Sequence, residues 1–316
     1  MGLKAIKKKL RLDNLLARQI FAEFWGTFIL VTFAVASGAQ YVLSRKELSS
    51  FLTVNFAGGM GLTLGIYWSG GVSGGSLNPA VTLGLCLRGI VPWYKWPFYT
   101  IANLCGAFFA AAVQYGLYRD AINHFDGGIR YTTGVNATAG IFATYPQPYV
   151  STASCLFDQV FGTFILVGCI LAITDKNNML PHKGFVPVAL GSIVFAIGTC
   201  FALNCGYAIN PARDLGPRIF TALAGWGTEP FTFRNYWFWV PIVGPMVGSF
   251  TSWAIYFLFI EMHWPDEEEE VTVDVKGNGV RPNGTSIEDK GYVNEGFTGG
   301  RSDARLASDE AIVTGT

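Results

Sequence analysis

Long runs of uncharged, mostly apolar residues alternate along this chain with short polar segments. Four of the runs reach the ~20 residues that an α-helix needs to cross a bilayer, and they cover residues 51–72, 96–118, 184–205 and 236–260. Residues 20–43 form a fifth run, with Glu23 as its only charge, and residues 159–174 form a shorter sixth run, which we expect to begin a few residues earlier. The pattern therefore predicts six transmembrane helices.

The tripeptide Asn-Pro-Ala occurs twice, as Asn78, Pro79 and Ala80 and as Asn210, Pro211 and Ala212. Both copies predict helix starts, because Asn is a favoured N-cap residue and Pro suits the first helical position. The apolar segment that follows each copy is about 10 residues, or about 15 Å, which is half of the ~30 Å hydrocarbon core. The free N–H groups and positive dipole ends of two such half-helices can then bind something polar in mid-membrane. This is the arrangement of a pore.

An internal repeat organises the chain. Gly-Thr-Phe-Ile-Leu occurs at residues 26–30 and 162–166, 136 residues apart, and the Asn-Pro-Ala copies are 132 residues apart. Each repeat holds three spans, an odd number, so the second must be inverted relative to the first. We therefore predict an all-α membrane fold of six transmembrane helices and two half-helices as an inverted 3+3 repeat. Its channel domain is residues 18–260, with halves 18–118 and 155–260 joined by an external loop, 119–154.

Composition and charge agree with a membrane setting. Hydrophobic residues make up 51% of the chain and charged residues 14%, and the 22 basic residues balance the 22 acidic ones, so nothing favours nucleic acid as a partner. The basic segment 1–17 is expected in the cytosol by the positive-inside rule, and an even number of spans returns the C-terminus to the same side. Residues 261–316, acidic and then polar, are expected to form a disordered cytosolic tail.

Two glycosylation sequons test this topology. Asn136 lies in the predicted external loop and can be modified, whereas Asn283 lies in the predicted cytosolic tail and is expected to stay bare. The six cysteines lack metal-like spacing and are interpreted as buried thiols, although Cys205, just before the second Asn-Pro-Ala, is also a candidate reactive thiol. The three histidines fall in loops without a nucleophile or metal-spaced partner, so we expect neither an enzyme nor a cofactor or metal.

Several motifs resemble those of the aquaporin superfamily, over residues 18–260. They are the Ala-Glu-Phe-Trp-Gly-Thr opening at 22–27, the Ser-Gly-Gly-Ser-Leu run before Asn78, the two Asn-Pro-Ala copies and Arg213. Five further positions are similar to those by which aquaglyceroporins differ from water-only channels, namely Asp214, Arg218, Tyr118, Pro241 and Ile242. The resemblance implies an aquaglyceroporin.

In that family four positions form the constriction, and they carry over to Gly58, Gly198, Tyr207 and Arg213. Two glycines imply a wide gate, and the planar donors of Arg213 suit adjacent hydroxyls of a polyol. Each glycine can also be explained by close helix packing, and for Gly58 this alternative stays open. Asn78 and Asn210 would offer N–H donors to a solute oxygen at mid-membrane.

Other residues are expected to line or support the pore. The resemblance implies carbonyls or supporting contacts at Gly74, Gly75, Ser76, Leu77, Cys205, Gly206 and Ala208. Glu23 and its counterpart in the second half, Gln159, are expected to bond the backbone before each half-helix, and Asp214 to pair near Arg218 without touching solute. One departure stands out, because Ser76 occupies a position where the family usually has His.

These features predict a passive channel for water and glycerol that excludes protons and ions, with urea and other small neutral solutes as further candidates. The family implies a homotetramer in the lipid bilayer, and we expect a plasma-membrane location. A structural or adhesion protein with a closed pore is the alternative. A secondary transporter is a third option, but it would be expected to carry an ion-coupling carboxylate where the half-helices meet, and the sequence has none there.

Overall fold

The structure is a computed structural model that describes residues 2–265, except for the side chain of Ala5. Most of the predicted tail, including the Asn283 sequon, lies outside the described residues. Within them the chain is helical and has no strand. The helices are α1 Leu3–Leu10, α2 Leu15–Leu43, α3 Phe51–Ser73, α4 Pro79–Leu87, α5 Lys95–Asp126, α6 Thr152–Ile173, α7 Val186–Phe201, α8 Pro211–Thr221, α9 Glu229–Tyr236 and α10 Val240–Phe259.

Six of these helices correspond to the predicted spans, namely α2, α3, α5, α6, α7 and α10. By length and apolarity alone, only four described segments suffice to cross a membrane, and they are Leu15–Leu43, Lys95–Asp126, Thr152–Ile173 and Glu229–His263. Helix α7 has 16 residues, about 24 Å, because it ends before the predicted residue 205. Helix α3 is long enough, but glycine and polar residues are frequent in it.

Helices α3 and α7 cross closely because both carry glycine at the crossing. A Cβ on Gly59 would lie 2.6 Å from the carbonyl oxygen of Gly191, and a Cβ on Gly191 would collide with the hydroxyl of Thr63. The Thr63 hydroxyl donates instead to the carbonyls of Gly59 and Pro187, each at 3.2 Å. Small residues at the crossing therefore allow α3 of the first half to pack closely against α7 of the second.

The two halves have matching contacts. Helix α2 packs against α3 and α5, and α6 packs against α7 and α10. Gly106 on α5 adjoins the backbone of Phe24 on α2, and Gly248 on α10 adjoins the backbone of Val160 on α6, so closely that neither glycine has room for a Cβ. Each half-helix packs against the third long helix of the other half, α8 against α5 and α4 against α10. The halves therefore interlock around α4 and α8.

The folded unit continues through Trp264, past the end predicted for the channel domain. Residues Glu261–His263 form a 3-10 turn, and Glu261 Oε1 pairs with Arg88 Nε at 2.9 Å. The indole N–H of Trp264 donates to Asp175 at 3.1 Å. The first residues of the predicted tail are therefore ordered, because their side chains are bound to the end of α4 and to the turn after α6.

Candidate functional site: a pore between two half-helices

The N-termini of α4 and α8 meet inside the protein. Asn78 Nδ2 donates to the carbonyl of Ile209 at 2.9 Å, and Asn210 Nδ2 donates to the carbonyl of Leu77 at 2.9 Å. The side-chain oxygen of each asparagine also accepts from the backbone N–H two residues later, at 2.9 and 3.0 Å. Each side chain is held at both ends, and the second hydrogen of each NH₂ group stays available to a solute.

The backbone before each half-helix adopts left-handed conformations. Leu77 has φ 50° and Ile209 has φ 38°, preceded by left-handed glycines at Gly74, Gly75 and Gly206. This conformation costs about 1–3 kcal/mol for a residue such as Ile209 and persists only where surrounding contacts impose it. Here the opposing asparagines bond the carbonyls of Leu77 and Ile209 themselves. The strained turns therefore place the backbone of residues 74–76 and 206–208 at the internal cavity.

A buried carboxylate organises the turn before α4. Glu23 is 0% exposed and accepts from the backbone N–H groups of Ser76 and Leu77, at 3.1 and 2.8 Å. Asn103 and Ser73 also donate to it, at 2.9 and 2.7 Å. A carboxylate that accepts from several donors fixes the direction of the backbone it binds.

Gln159 binds the turn before α8 as Glu23 binds the turn before α4, but through an uncharged amide. Its Oε1 accepts from the Ile209 N–H at 3.0 Å, while its Nε2 donates to the carbonyl of Gly206 at 2.9 Å and to Cys205 Sγ at 3.3 Å. An amide carries donors as well as acceptors, so it must bind a carbonyl that a carboxylate would leave free. The two halves therefore differ in charge at equivalent positions.

A cavity of about 400 Å³ runs past these turns and extends from Gly38 and Gly140 at one end to Leu85 and Thr174 at the other. Part of its lining is polar and consists of Asn78, Asn210, Arg213 and the segments 74–76 and 206–208. The rest is largely apolar and includes Leu30, Ala34, Leu62, Ile66, Leu166, Ile170, Leu190 and Val194. Such a passage suits a small solute that has both carbon and hydroxyl surface.

The four predicted constriction residues lie together, but not all of them line the cavity. A Cβ on Gly58 would lie 3.0 Å from the Tyr207 hydroxyl, and a Cβ on Gly198 would collide with Asn55 and approach Tyr207 Cζ to 2.6 Å. Gly58, Tyr207 and Arg213 border the cavity, whereas Gly198 does not. Gly198 therefore makes room for the tyrosine ring, and Gly58 leaves the space in front of its hydroxyl open.

The loop between the halves folds into the cavity, which sequence reasoning did not foresee. Thr144 and Tyr145 line its outer part, and Arg213 donates to the carbonyl of Phe142 at 3.0 Å. Asp214 Oδ2 accepts from the backbone N–H and the hydroxyl of Thr144, at 2.7 and 2.6 Å, and Arg218 donates to the carbonyl of the same residue at 2.6 Å. The loop is therefore fastened to α8 rather than exposed.

Asn55 is the residue at the constriction that sequence reasoning missed. It is 0% exposed, borders the cavity and donates through Nδ2 to the carbonyl of Phe51 at 2.9 Å. Its Oδ1 has no hydrogen-bond partner among the described residues. The signal in the sequence was an amide within an otherwise apolar run, one turn before Gly58.

Two of the predicted pore-lining residues lie outside the cavity. Leu77 is fully buried and its carbonyl is occupied by Asn210, so it supports the turn. Cys205 is also fully buried, with its thiol 3.5 Å from Asp158 Oδ2, and does not border the cavity. Burial of the sulfur argues against a reactive pore thiol at Cys205. Gly74, Gly75, Ser76, Gly206 and Ala208 do border it.

Helices that interlock through two half-helices around a cavity lined by both polar and apolar residues are typical of a membrane channel. The sequence profile of the major intrinsic protein family matches residues 11–256, and the chain belongs to this family. It is 46% identical over 265 residues to aquaporin-9 of Homo sapiens, covering 84% of this chain and 90% of that protein. It is 46% identical over 239 residues to aquaglyceroporin-2 of Rhizophagus irregularis, covering 76% of each.

Among solved structures, the chain resembles the aquaglyceroporin from Plasmodium falciparum. The TM-score is 0.71 at 32% identity, and the match covers 78% of this chain and 97% of that one. The predicted fold class and the resemblance to aquaglyceroporins are confirmed. The chain is a membrane protein of a channel family.

Proposed function

We propose that this protein is a passive channel for water and glycerol, with urea and other small neutral solutes as further candidates. The observation that carries the proposal is the reciprocal bonding of Asn78 and Asn210 beside a continuous cavity. Each asparagine keeps one N–H donor for a solute oxygen. A cavity of about 400 Å³ beside both asparagines counts against the alternative of an adhesion protein with a closed pore.

Glycerol fits the chemistry of the constriction. Arg213 uses one donor on the carbonyl of Phe142, which leaves further donors of its planar group for adjacent hydroxyls. The Tyr207 ring and the apolar residues across the cavity can contact the carbons, while backbone carbonyls of residues 74–76 and 206–208 accept from hydroxyls. Gly58 provides the width beside the Tyr207 hydroxyl, and Gly198 provides the space that the Tyr207 ring occupies.

Cations and protons are excluded by charge. The positive dipole ends of α4 and α8 converge where the cavity passes Asn78 and Asn210, and the Arg213 charge lies beside it on α8. A water there is oriented by donors on its oxygen, so it cannot accept a proton from its neighbour. We further propose a homotetramer in the plasma membrane with both termini cytosolic, as the positive-inside rule favours.

Stopped-flow light scattering of proteoliposomes tests the function. An inward glycerol gradient first shrinks the vesicles, and we expect those that contain the full chain to reswell much faster than protein-free vesicles. A sorbitol gradient should give faster shrinkage through the water pathway but no reswelling in either case. A pH-sensitive dye inside the vesicles should report no added proton leak. Glycerol entry at the protein-free rate would overturn the proposal, and equal entry of sorbitol would show an unselective pore.

A further inference from the structure

The first helix of the chain, α1, has an apolar stripe that the rest of the described protein leaves exposed. Leu3, Ile6 and Leu10 are spaced at i, i+3 and i+7, so they lie on one face of the helix. Their exposed fractions are 86%, 39% and 71%. Leaving three large apolar side chains in water is unfavourable, and the stripe is therefore a candidate contact surface.

The remaining surface of α1 is strongly basic. Lys4, Lys7, Lys8 and Lys9 flank the stripe or lie opposite it, and the first acidic residue of the chain, Asp13, follows only after Arg11. A helix with an apolar stripe between lysines is typical of segments that lie in the plane of a membrane surface and contact anionic headgroups.

The position of α1 along the chain brings it to such a surface. Helix α2 begins at Leu15, where Asn14 accepts from the Ala17 N–H at 3.0 Å. The five steps from Leu10 to Leu15 keep the end of α1 within about 18 Å of the start of a membrane-spanning helix. Gln19 donates to the carbonyl of Val72 at 3.4 Å, which places this end of α2 beside the end of α3.

Exposed aromatic side chains mark the membrane surface at the same end. Trp68 on α3 is 64% exposed, and Trp93 and Tyr94, just before α5, are 55% and 60% exposed. Tyr99, near the start of α5, donates through its hydroxyl to the carbonyl of Ser73 at the end of α3, at 3.4 Å, so the start of α5 also belongs to this end of the protein. Trp and Tyr with one apolar and one polar edge concentrate at the headgroup level.

From these observations we infer that α1 lies on the membrane surface and binds anionic phospholipid headgroups through its lysines, with Leu3, Ile6 and Leu10 inserted among the acyl chains. Three apolar side chains give weak binding by themselves, so the association depends on lipid charge and on ionic strength. The inference does not rest on the solute that the pore carries, because it needs only that α2 spans the membrane.

Hydrogen exchange on the full chain in lipid nanodiscs tests the inference. The amides of residues 3–11 should exchange about tenfold more slowly in nanodiscs containing roughly 30% phosphatidylserine than in pure phosphatidylcholine, and high salt should remove the difference. Equal exchange in the two lipids would overturn the inference. Equal protection in detergent would also overturn it, because another segment or another copy of the chain would then cover the stripe.

Three variants separate the contribution of the lysine charges to lipid binding from that of the apolar side chains of α1. Replacing Lys4, Lys7, Lys8 and Lys9 together by Gln should abolish the dependence on phosphatidylserine, whereas replacing the same four by Arg should keep it. Replacing Leu3, Ile6 and Leu10 by Ser should also abolish the slow exchange. The glycerol flux of all three variants should match that of the unchanged chain, which shows that each is folded. A glutamine variant that keeps the lipid dependence would contradict a role for the lysine charge.

Discussion

At the scale of single residues, the two glycines at the constriction lack a side chain for different reasons. Gly198 has no side chain because the ring of Tyr207 and the amide of Asn55 fill that position. Gly58 has no side chain beside the Tyr207 hydroxyl, and the space stays open. Packing therefore explains Gly198, and we propose that Gly58 limits the size of the solute that can pass.

Gly58→Trp should slow glycerol much more than water. An indole in front of the Tyr207 hydroxyl narrows the passage below the width of a three-carbon polyol, and a water molecule is smaller. Gly71→Trp is the matched control, since Gly71 lies on the same helix with nothing within 4 Å of its Cβ position. Stopped-flow rates of glycerol and water permeation measure the effect. An equal loss of the two rates in Gly58→Trp would count against Gly58 as a determinant of pore width.

We predict that Ser76 leaves the pore without a response to mild acid. Its hydroxyl is 2.8 Å from Thr82 Oγ1 and 3.1 Å from Glu23 Oε2, and a hydroxyl does not titrate near the ~6.5 of imidazole. Glycerol flux should therefore change little between about pH 7.5 and 5.5, and Ser76→His should introduce a change in that interval. A large acid response of the unchanged chain would show that another group controls the pore.

The ion cluster of Arg88, Asp175 and Glu261, near the end of α6, should not make the glycerol flux depend on pH in this interval. Burial by itself would raise the pKa of Asp175, but the Asn177 backbone N–H, donors from Tyr256 and Trp264, and the Arg88 charge together hold that pKa below its ordinary value. The stability that Asp175 contributes is therefore present above the unfolded pKa and is lost only as pH falls through the lower folded value. Asp175 stays ionised throughout the interval in which Ser76→His is to be measured.

At the scale of elements, one ion pair fastens the loop between the halves to the second half-helix. Arg218 and Asp214 pair at 2.8 Å with each side chain 1% exposed, and both also bind the backbone of Thr144. Breaking a buried pair leaves a charge without compensation, so its loss is far costlier than that of an exposed pair.

Asp214→Asn should therefore destabilise the protein by about 3 kcal/mol, because Arg218 keeps its charge in a buried site. Asp13→Asn is the matched control, since the Arg11–Asp13 pair is exposed, at 65% and 88% for the two side chains, and its loss should cost under ~1 kcal/mol. Thermal unfolding in detergent measures both. Similar unfolding temperatures for the two variants would mean that the loop is held by other contacts.

At the scale of the whole molecule, three spans in each repeat predict that the loop between the halves and the C-terminal tail lie on opposite sides of the membrane. The loop carries the Asn136 sequon, whose Thr138 is fully buried and bonded to Asp126 at 3.2 Å. Access to the folded sequon is therefore restricted, and we expect the sugar to be added before the loop folds. The tail carries Asn283.

Expression in a glycosylating cell tests this topology. A glycosidase-sensitive mass shift should be present in the unchanged chain and in Asn283→Gln, and absent in Asn136→Gln. The last two variants are controls for each other, because each leaves one sequon intact. A shift that survives Asn136→Gln and disappears in Asn283→Gln would reverse the proposed orientation.

Much of this arrangement follows from the sequence alone. The Asn-Pro-Ala motifs determine two helix starts through capping and proline geometry, which are local effects. The repeat with an odd number of spans determines inversion, because a bilayer allows no other arrangement of three crossings. The resemblance to aquaporins assigned Glu23 to the turn before α4, and the repeat assigned Gln159 as its counterpart.

Only the tertiary structure decided which groups face the passage. Asn78 donates to the carbonyl of Ile209 and Asn210 to that of Leu77, and both bonds join residues far apart in the chain. The burial of Cys205 and the position of Asn55 beside Gly198 also depend on such distant contacts. The folding of residues 139–145 into the cavity depends on the Asp214–Arg218 pair, which gives a polar loop partners that no local pattern reveals. Periodicity determines which side of a helix is apolar, but whether that side meets lipid, a neighbouring helix or the passage is determined by packing.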